Sequence, residues 1–208
     1  MTPSLILAVA GAYLVGSVPT AYLLVKWMRH VDVRTVGSGN VGATNAARIG
    51  GLGIGVAVFL IDVGKGWLAV QALVPWLVDD ATSATRLGCG LAAVIGHSFP
   101  VFLNFRGGKG VATTIGVLVG TMPLVAAVCL AVWGVCVLMW RYVSVGSLAA
   151  AATLPLMQLA TRQPLPDVLL GVALALLVAA RHRANIERLL QGREHRVGRP
   201  SPSQSGGG

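Results

Sequence analysis

Charge is what this sequence has least of. Of its 208 residues only 11% are Asp, Glu, Lys or Arg, where soluble domains carry about 25%. Acidic residues are scarcest, seven against sixteen basic ones. Hydrophobic residues reach 55%, and 27 glycines add further uncharged chain. A soluble globule of this size could not hide so much apolar surface. That excludes an ordinary cytosolic domain, a disordered chain and a DNA-binding domain with a soluble core. Cysteine is nearly absent too. Cys89, Cys129 and Cys136 all fall in apolar stretches without CxxC spacing, so neither a disulfide framework nor a thiolate metal site is expected. The first apolar run follows Met1-Thr2-Pro3-Ser4 without the basic region that opens a signal peptide. No internal repeat of the kind found in inverted-repeat transporters is visible.

What is present is a series of apolar segments, near 4–26, 52–78, 87–105, 111–121, 123–140, 145–161 and 165–180. A straight membrane crossing needs about 20 residues, so 111–140 reads as one long helix or as two. Gly120-Thr121-Met122-Pro123 offers a break, because proline removes a donor and biases the residue before it away from helix. The distribution of positive charge decides between six and seven spans. With seven spans and the N-terminus outside, thirteen of the sixteen basic residues fall on the inner side, including six arginines from Arg181 to Arg199. Only Arg86 and Arg162 face out, beside Asp79, Asp80 and Asp167, and Lys65 sits within a span. The expectation is an all-α integral membrane protein of seven transmembrane helices, N-terminus outside and C-terminus cytoplasmic. A single domain over 1–197 precedes a disordered Gly/Ser/Pro-rich tail at 198–208. The net charge of +9 then suits basic loops against anionic lipid and not nucleic acid.

In this topology the polar residues collect on one side. The first inner segment holds Gly37, Ser38, Gly39, Asn40, Thr44, Asn45 and Arg48, and the second holds His97, then Arg106-Gly107-Gly108-Lys109-Gly110 and Thr113. The third holds Ser147, and the fourth opens with His182 and Asn185. Loops that only connect helices have no need of such density, so one polar site at the cytoplasmic face is expected. Glycines around Lys109 let backbone N–H groups line an anion site, and a helix starting at Val111 would turn its positive end toward the same anion. The spacing is not that of a Walker P-loop, since Gly110 follows the lysine and no glycine stands at the required earlier position. Arg48 suits bidentate capture of a phosphate. Asn40 and Thr44 read equally as helix caps, and His97 equally as a structural residue. Asp62 and Lys65, at i and i+3 inside an apolar stretch, are expected to neutralise each other and brace the site.

Three segments together carry a resemblance: GSGNVGATNAAR (37–48), GHSFPVFLNFRGGKGVAT (96–113) and RHRAN (181–185). In order and spacing they are similar to the motifs of the bacterial membrane glycerol-3-phosphate acyltransferases that use acyl phosphate, the PlsY family. The likeness extends from about residue 5 to residue 195. It implies a seven-span inner-membrane enzyme with its active site toward the cytoplasm. The reaction it implies moves a fatty acyl group from acyl phosphate to the sn-1 hydroxyl of glycerol 3-phosphate, giving lysophosphatidic acid and phosphate in phospholipid synthesis. The family's catalytic positions fall on Ser38, Arg48, Lys109, Ser147, His182 and Asn185, and Arg106 stands where lysine is more often expected. No cofactor or metal is implied. Membrane lipid is the expected surrounding, and the lability of the donor is compatible with a soluble acyl-phosphate-producing enzyme docking on the inner face.

The residues suit that chemistry. Two phosphate-bearing substrates need two anion sites. An acyl phosphate already carries a good leaving group, so positioning and charge stabilisation can replace an acyl-enzyme. The sequence has no Ser/His/Asp order, Cys/His pair or His-x4-Asp dyad arguing otherwise; Glu187, five residues after His182, is a loose echo of the last. Two other readings compete: a carrier for a phosphorylated metabolite, which would place its polar residues near the midplane, and a non-catalytic scaffold with a basic inner face.

Overall fold

The computed structural model describes residues 2–198; all but the first residue of the tail expected at 198–208 lies outside them. Among the described residues the chain is helical, with no strand. Helix α1 (Pro3–Ser17) begins on Thr2, whose hydroxyl accepts the Leu5 amide at 3.4 Å. Val18-Pro19 interrupts it, and α2 (Thr20–Arg29) completes the span before His30 ends it in the left-handed region, φ 57°. After a loop comes α3 (Ala43–Gly50), a short helix where the sequence had read as connecting loop. Helix α4 (Leu52–Leu68) passes through one π-helical stretch, Ala69–Leu73, into α5 (Val74–Leu77). Pro75 stands at the start of α5 without an amide donor, and the wider turn just before it lets the span continue past the proline.

Helix α6 (Ser83–Ser98) is capped by Thr82, which accepts the Thr85 amide at 3.1 Å. A 3-10 turn, Val101–Leu103, and an irregular loop lead to α7 (Val111–Thr121). The expected break follows: Met122 leaves helical geometry at φ −142° and α8 (Pro123–Trp140) starts on the proline. Then come α9 (Val143–Ala160), α10 (Leu165–Arg181) and α11 (Arg183–Leu190), the last two bent by 57° about His182.

Five stretches among the described residues are long and apolar enough to cross a membrane: Pro3–Arg29, Leu52–Leu77, Ser83–Leu103, Pro123–Trp140 and Val143–Ala160. The α10–α11 pair makes a sixth if taken as one bent span. With its 11 residues, α7 rises only about 16 Å, half of a hydrocarbon core of about 30 Å. Large apolar side chains such as Trp76, Leu124 and Leu138 point outward, as lipid-facing positions do.

Glycine sets the spacing of the helices behind the site. Gly16 and Gly96 press α1 and α6 together against the carbonyls of Ala93 and Tyr13. Gly66 and Gly116 do the same for α4 and α7 against the carbonyls of Thr113 and Val63. A β-carbon at any of the four would collide with backbone, so these pairs meet by the small-residue packing usual where lipid gives no hydrophobic drive to association. Helix α8 packs on α9, and α9 on α10. Val70, Leu87, Val94, Val117, Leu154 and Leu174 belong to the largest buried cluster, which joins the π-helical stretch, α6 and α7 to α9 and α10. Cys89 and Cys129 are buried free thiols, and Cys136 is partly buried.

Candidate active site

Asn45 folds the first motif. From α3 its Oδ1 accepts the Ser38 amide at 2.9 Å, while Nδ2 donates to the carbonyls of Val33 and Val36 at 3.0 and 3.1 Å. With its amide so occupied, Asn45 shapes the loop. Gly37 and Gly39 take positive φ, 66° and 67°, and the Asn45 oxygen stands where a β-carbon on Gly37 would be. Ser38, Asn40, Thr44 and Arg48 are thereby presented to one cavity.

The second motif doubles back on the end of α6. Gly107 and Gly108 donate their amides to the carbonyls of Ser98 and His97 at 3.2 and 3.0 Å. Their own carbonyls accept from Arg181, from Nη2 and Nε respectively, both at 3.0 Å. The same guanidinium lies 4.9 Å over the Phe99 ring. One arginine therefore clamps the glycine loop to the end of α10. Gly110, at φ 80°, turns the chain into α7, and Lys109 Nζ donates to Asn185 Oδ1.

Behind this loop lies a buried charge cluster. Lys65 Nζ is 2.9 Å from Asp62 Oδ1 and donates to the Val18 carbonyl at 3.2 Å, while His97 Nδ1 is 3.7 Å from the same carboxylate oxygen. The Nε2 edge of the His97 ring lies against Gly108. The expected mutual neutralisation of Asp62 and Lys65 is the observed arrangement, and His97 links it to the glycine loop.

All four polar segments open onto one cavity of about 960 Å³, counting its mouth. Arg48, Lys109 and Arg188 supply its cations, and Ser38, Ser144, Ser147, His182 and Asn185 its neutral polar groups. Burial pushes the Lys109 ammonium down to about 8, and Arg188, Arg48 and Arg181 push the same way against Glu194. Burial also lowers Arg48. His182 Nδ1 lies 2.8 Å from the Val178 carbonyl, which can only accept, so Nδ1 carries the proton and Nε2 keeps a lone pair. An apolar crevice of about 380 Å³ adjoins the cavity, sharing Val111, Ile115, Trp133 and Ser147 with it and running on to Leu118, Ala150 and Leu154.

The sequence profile described as glycerol-3-phosphate acyltransferase matches residues 6–192. A glycerol-3-phosphate acyltransferase of Gloeobacter violaceus is 46% identical over 92% of this chain and 94% of its own length. One from Halalkalibacterium halodurans is 44% identical over 93% and 95%. Among solved structures, PlsY (YgiH), an integral membrane glycerol 3-phosphate acyltransferase, superposes in its glycerol 3-phosphate form with a TM-score of 0.88 at 41% identity. That match covers 94% of this chain and 96% of the other. Its lysophosphatidic acid form superposes with a TM-score of 0.86. The chain belongs to the glycerol-3-phosphate acyltransferase family.

Within this family member the cavity gathers most of the residues singled out by sequence: Ser38, Asn40, Thr44, Asn45, Arg48, His97, Lys109, Gly110, Ser147, His182 and Asn185. Others stand off its wall. Gly37, Gly39, Gly107 and Gly108 shape the loops. Thr113 is buried in the α4–α7 contact through its carbonyl. Arg106 follows two left-handed residues, Asn104 and Phe105, and ends exposed on the outside of the turn. The cavity also has members that sequence reasoning missed as site residues: Ser144, Arg188, Glu194 and His195, while Asp62, expected to brace the site, lines it as well, with Arg181 bracing from outside. Arg188 reads in the sequence only as a topology-setting charge, and Arg181 as that and as the first residue of the RHRAN motif.

Proposed function

We propose that the protein transfers a fatty acyl group from acyl phosphate to the sn-1 hydroxyl of glycerol 3-phosphate, releasing phosphate and lysophosphatidic acid, without an acyl-enzyme. The observation that carries this reading is the junction of two unlike spaces. A cavity with three cations and several neutral donors continues into an apolar crevice between helices, matching a reaction that joins a phosphorylated polyol to a fatty chain.

Arg48 and Lys109 hold the two phosphates, with Ser38, Ser147 and the backbone at the start of α7 as further donors. The hydroxyl oxygen attacks the acyl carbonyl carbon and the bond from that carbon to the bridging phosphate oxygen breaks. The hydroxyl proton passes to the departing phosphate or to the free Nε2 of His182. Fixed donors then stabilise the charge developing on the carbonyl oxygen and on the leaving phosphate, which is where most of the acceleration arises.

The seven-span topology belongs to the same reading. If the short α7 completes a crossing with its loops, twelve of the fifteen basic residues among those described share one side with the cavity, which makes that side cytoplasmic and the membrane the bacterial inner one. A soluble enzyme that makes acyl phosphate would then meet the protein on this face.

Purified protein in detergent should form lysophosphatidic acid and phosphate from palmitoyl phosphate plus glycerol 3-phosphate, and none from palmitoyl-CoA offered in parallel. Product from neither donor in folded protein would refute acyl transfer, and a carrier would become the better account. Labelled acyl trapped on the protein in a single turnover would refute the direct route alone.

A further inference from the structure

Among the described residues beyond α11, 191–198, the chain has no helix, yet it is firmly tied. The Val197 amide donates to the Arg141 carbonyl at 2.8 Å, and the Arg141 guanidinium donates twice to the Val197 carbonyl, at 3.1 and 2.8 Å. Arg196 Nε donates to the Tyr142 hydroxyl at 2.9 Å, with its guanidinium 5.2 Å over that ring. These contacts lay the segment across the α8–α9 turn and place the Glu194 side chain in the cavity, 6% exposed. Glu194 Oε1 accepts from Asn185 Nδ2 at 2.8 Å and from Ser144 Oγ at 3.3 Å, and Oε2 accepts from Arg188 Nε at 2.8 Å. Asn185 Oδ1 in turn accepts from Lys109.

A carboxylate is unexpected in a cavity suited to anions. If it merely filled an empty phosphate site it would be expected to bond the two cations assigned to phosphate, Lys109 or Arg48. It pairs instead with Arg188, the third cation of the cavity, and with the neutral groups of Asn185 and Ser144, and leaves Lys109 and Arg48 without a direct bond to it. We infer that Glu194 is a positioning residue, which fixes the Asn185 amide with its oxygen toward Lys109 and aims the Arg188 guanidinium, assembling the cation set before substrate arrives. This rests on the acyl-transfer reading. The physical reason is the near symmetry of an amide. A carboxylate can only accept and so holds Nδ2 toward itself, whereas a glutamine there can present NH2 as readily as oxygen, letting Asn185 turn its own NH2 toward the ammonium and lose the bond. Charge adds a second effect. Lys109 is faced by Arg48 from α3, Arg181 and His182 from the end of α10, Arg188 from α11 and Glu194. Glu194 is the acidic group among them, and Asp62 is held by Lys65.

The test is steady-state kinetics of the full chain in detergent with palmitoyl phosphate and glycerol 3-phosphate, comparing wild type with Glu194→Gln, Glu194→Asp and Arg188→Gln. For Glu194→Gln we expect kcat to fall about 10- to 100-fold with the glycerol 3-phosphate KM changed by less than about threefold. The alkaline limb of kcat/KM should move to lower pH, and Glu194→Asp should recover part of the loss. Arg188→Gln should keep the Asn185 arrangement and lose less. A lower KM with unchanged kcat in Glu194→Gln would overturn the inference, because it identifies the carboxylate as a competing anion. Unchanged kinetics would overturn it as well, leaving the segment as a cover. If Glu194→Gln melts well below wild type, the same comparison is read from Glu194→Asp, whose limb must then move and whose kcat must fall. Absence of turnover in wild type would overturn acyl transfer and this inference together, whereas wild-type turnover matched by the variants overturns the inference alone.

Discussion

Raising the pH through 8 should disable anion capture at Lys109. Burial, with the neighbouring cations Arg188, Arg48 and Arg181, holds its ammonium at about 8, and only Glu194 among the named neighbours acts the other way. The charged form is the one that binds phosphate, so the sign is fixed: binding is intact below that value and is lost as the pH climbs past it. Because kcat/KM reports ionisations of the free enzyme, stabilisation of the ammonium by bound substrate does not mask the limb. With one proton involved, about a tenth of the lysine stays charged at pH 9, and kcat/KM should stand about tenfold below its plateau. Lys109→Arg supplies the control. Its guanidinium stays charged throughout, so the limb should vanish while the plateau drops, since a planar fork does not reproduce a point charge. The assay is the initial rate of lysophosphatidic acid formation at subsaturating glycerol 3-phosphate between about pH 6 and 10, corrected for donor hydrolysis. A wild-type profile flat to about pH 9.5, or an unchanged limb in Lys109→Arg, would refute the reasoning.

Three further outcomes are expected. Arg48→Ala should lower kcat/KM by about 2–4 kcal/mol of transition-state stabilisation, read from the same assay, and near-normal rates would remove it from the site. Asp62→Asn leaves a buried Lys65 charge with only the Val18 carbonyl and should cost about 3–5 kcal/mol of stability. Adding Lys65→Met should restore much of the melting temperature, and a double variant no more stable than Asp62→Asn would show the pair is not coupled. Gly108→Ala sets a β-carbon against the His97 ring and 2.6 Å from the Val41 carbonyl. Such overpacking should cost about 1–3 kcal/mol in unfolding measurements, with activity falling further as the Lys109 loop shifts.

How much of this could be read from sequence depended on the kind of signal. The break before Pro123 was legible because proline acts locally, and the convergence on Lys109 because its glycines form a compact pattern. Helix α3 was hidden inside a run rich in Gly, Asn and Thr, residues that favour loops until tertiary contacts such as those of Asn45 favour helix. Glu194 lay in Gly192-Arg193-Glu194-His195, which has no periodicity, and its partners Ser144 and Asn185 are 50 and 9 residues away. Arg181 opened the RHRAN motif, but its clamp on the glycine loop was hidden because a bond to a backbone carbonyl leaves no trace in its partner's identity. The same holds for Gly16, Gly66, Gly96 and Gly116, whose role is a distance between helices.

Those four glycines divide the protein mechanically. Helices that touch backbone to backbone have no free volume to yield, so α1 with α6 and α4 with α7 form a stiff frame. The α8–α9 hairpin meets that frame through side chains, and the apolar crevice lies along the seam, with Leu118 on one side and Cys129, Ala150 and Leu154 on the other. The crevice therefore has one wall set by backbone contact and one set by side-chain size, so the bulk of Cys129, Ala150 and Leu154 fixes its width. Lys109 and its glycine loop belong to the first wall, fastened to α6 and to Arg181.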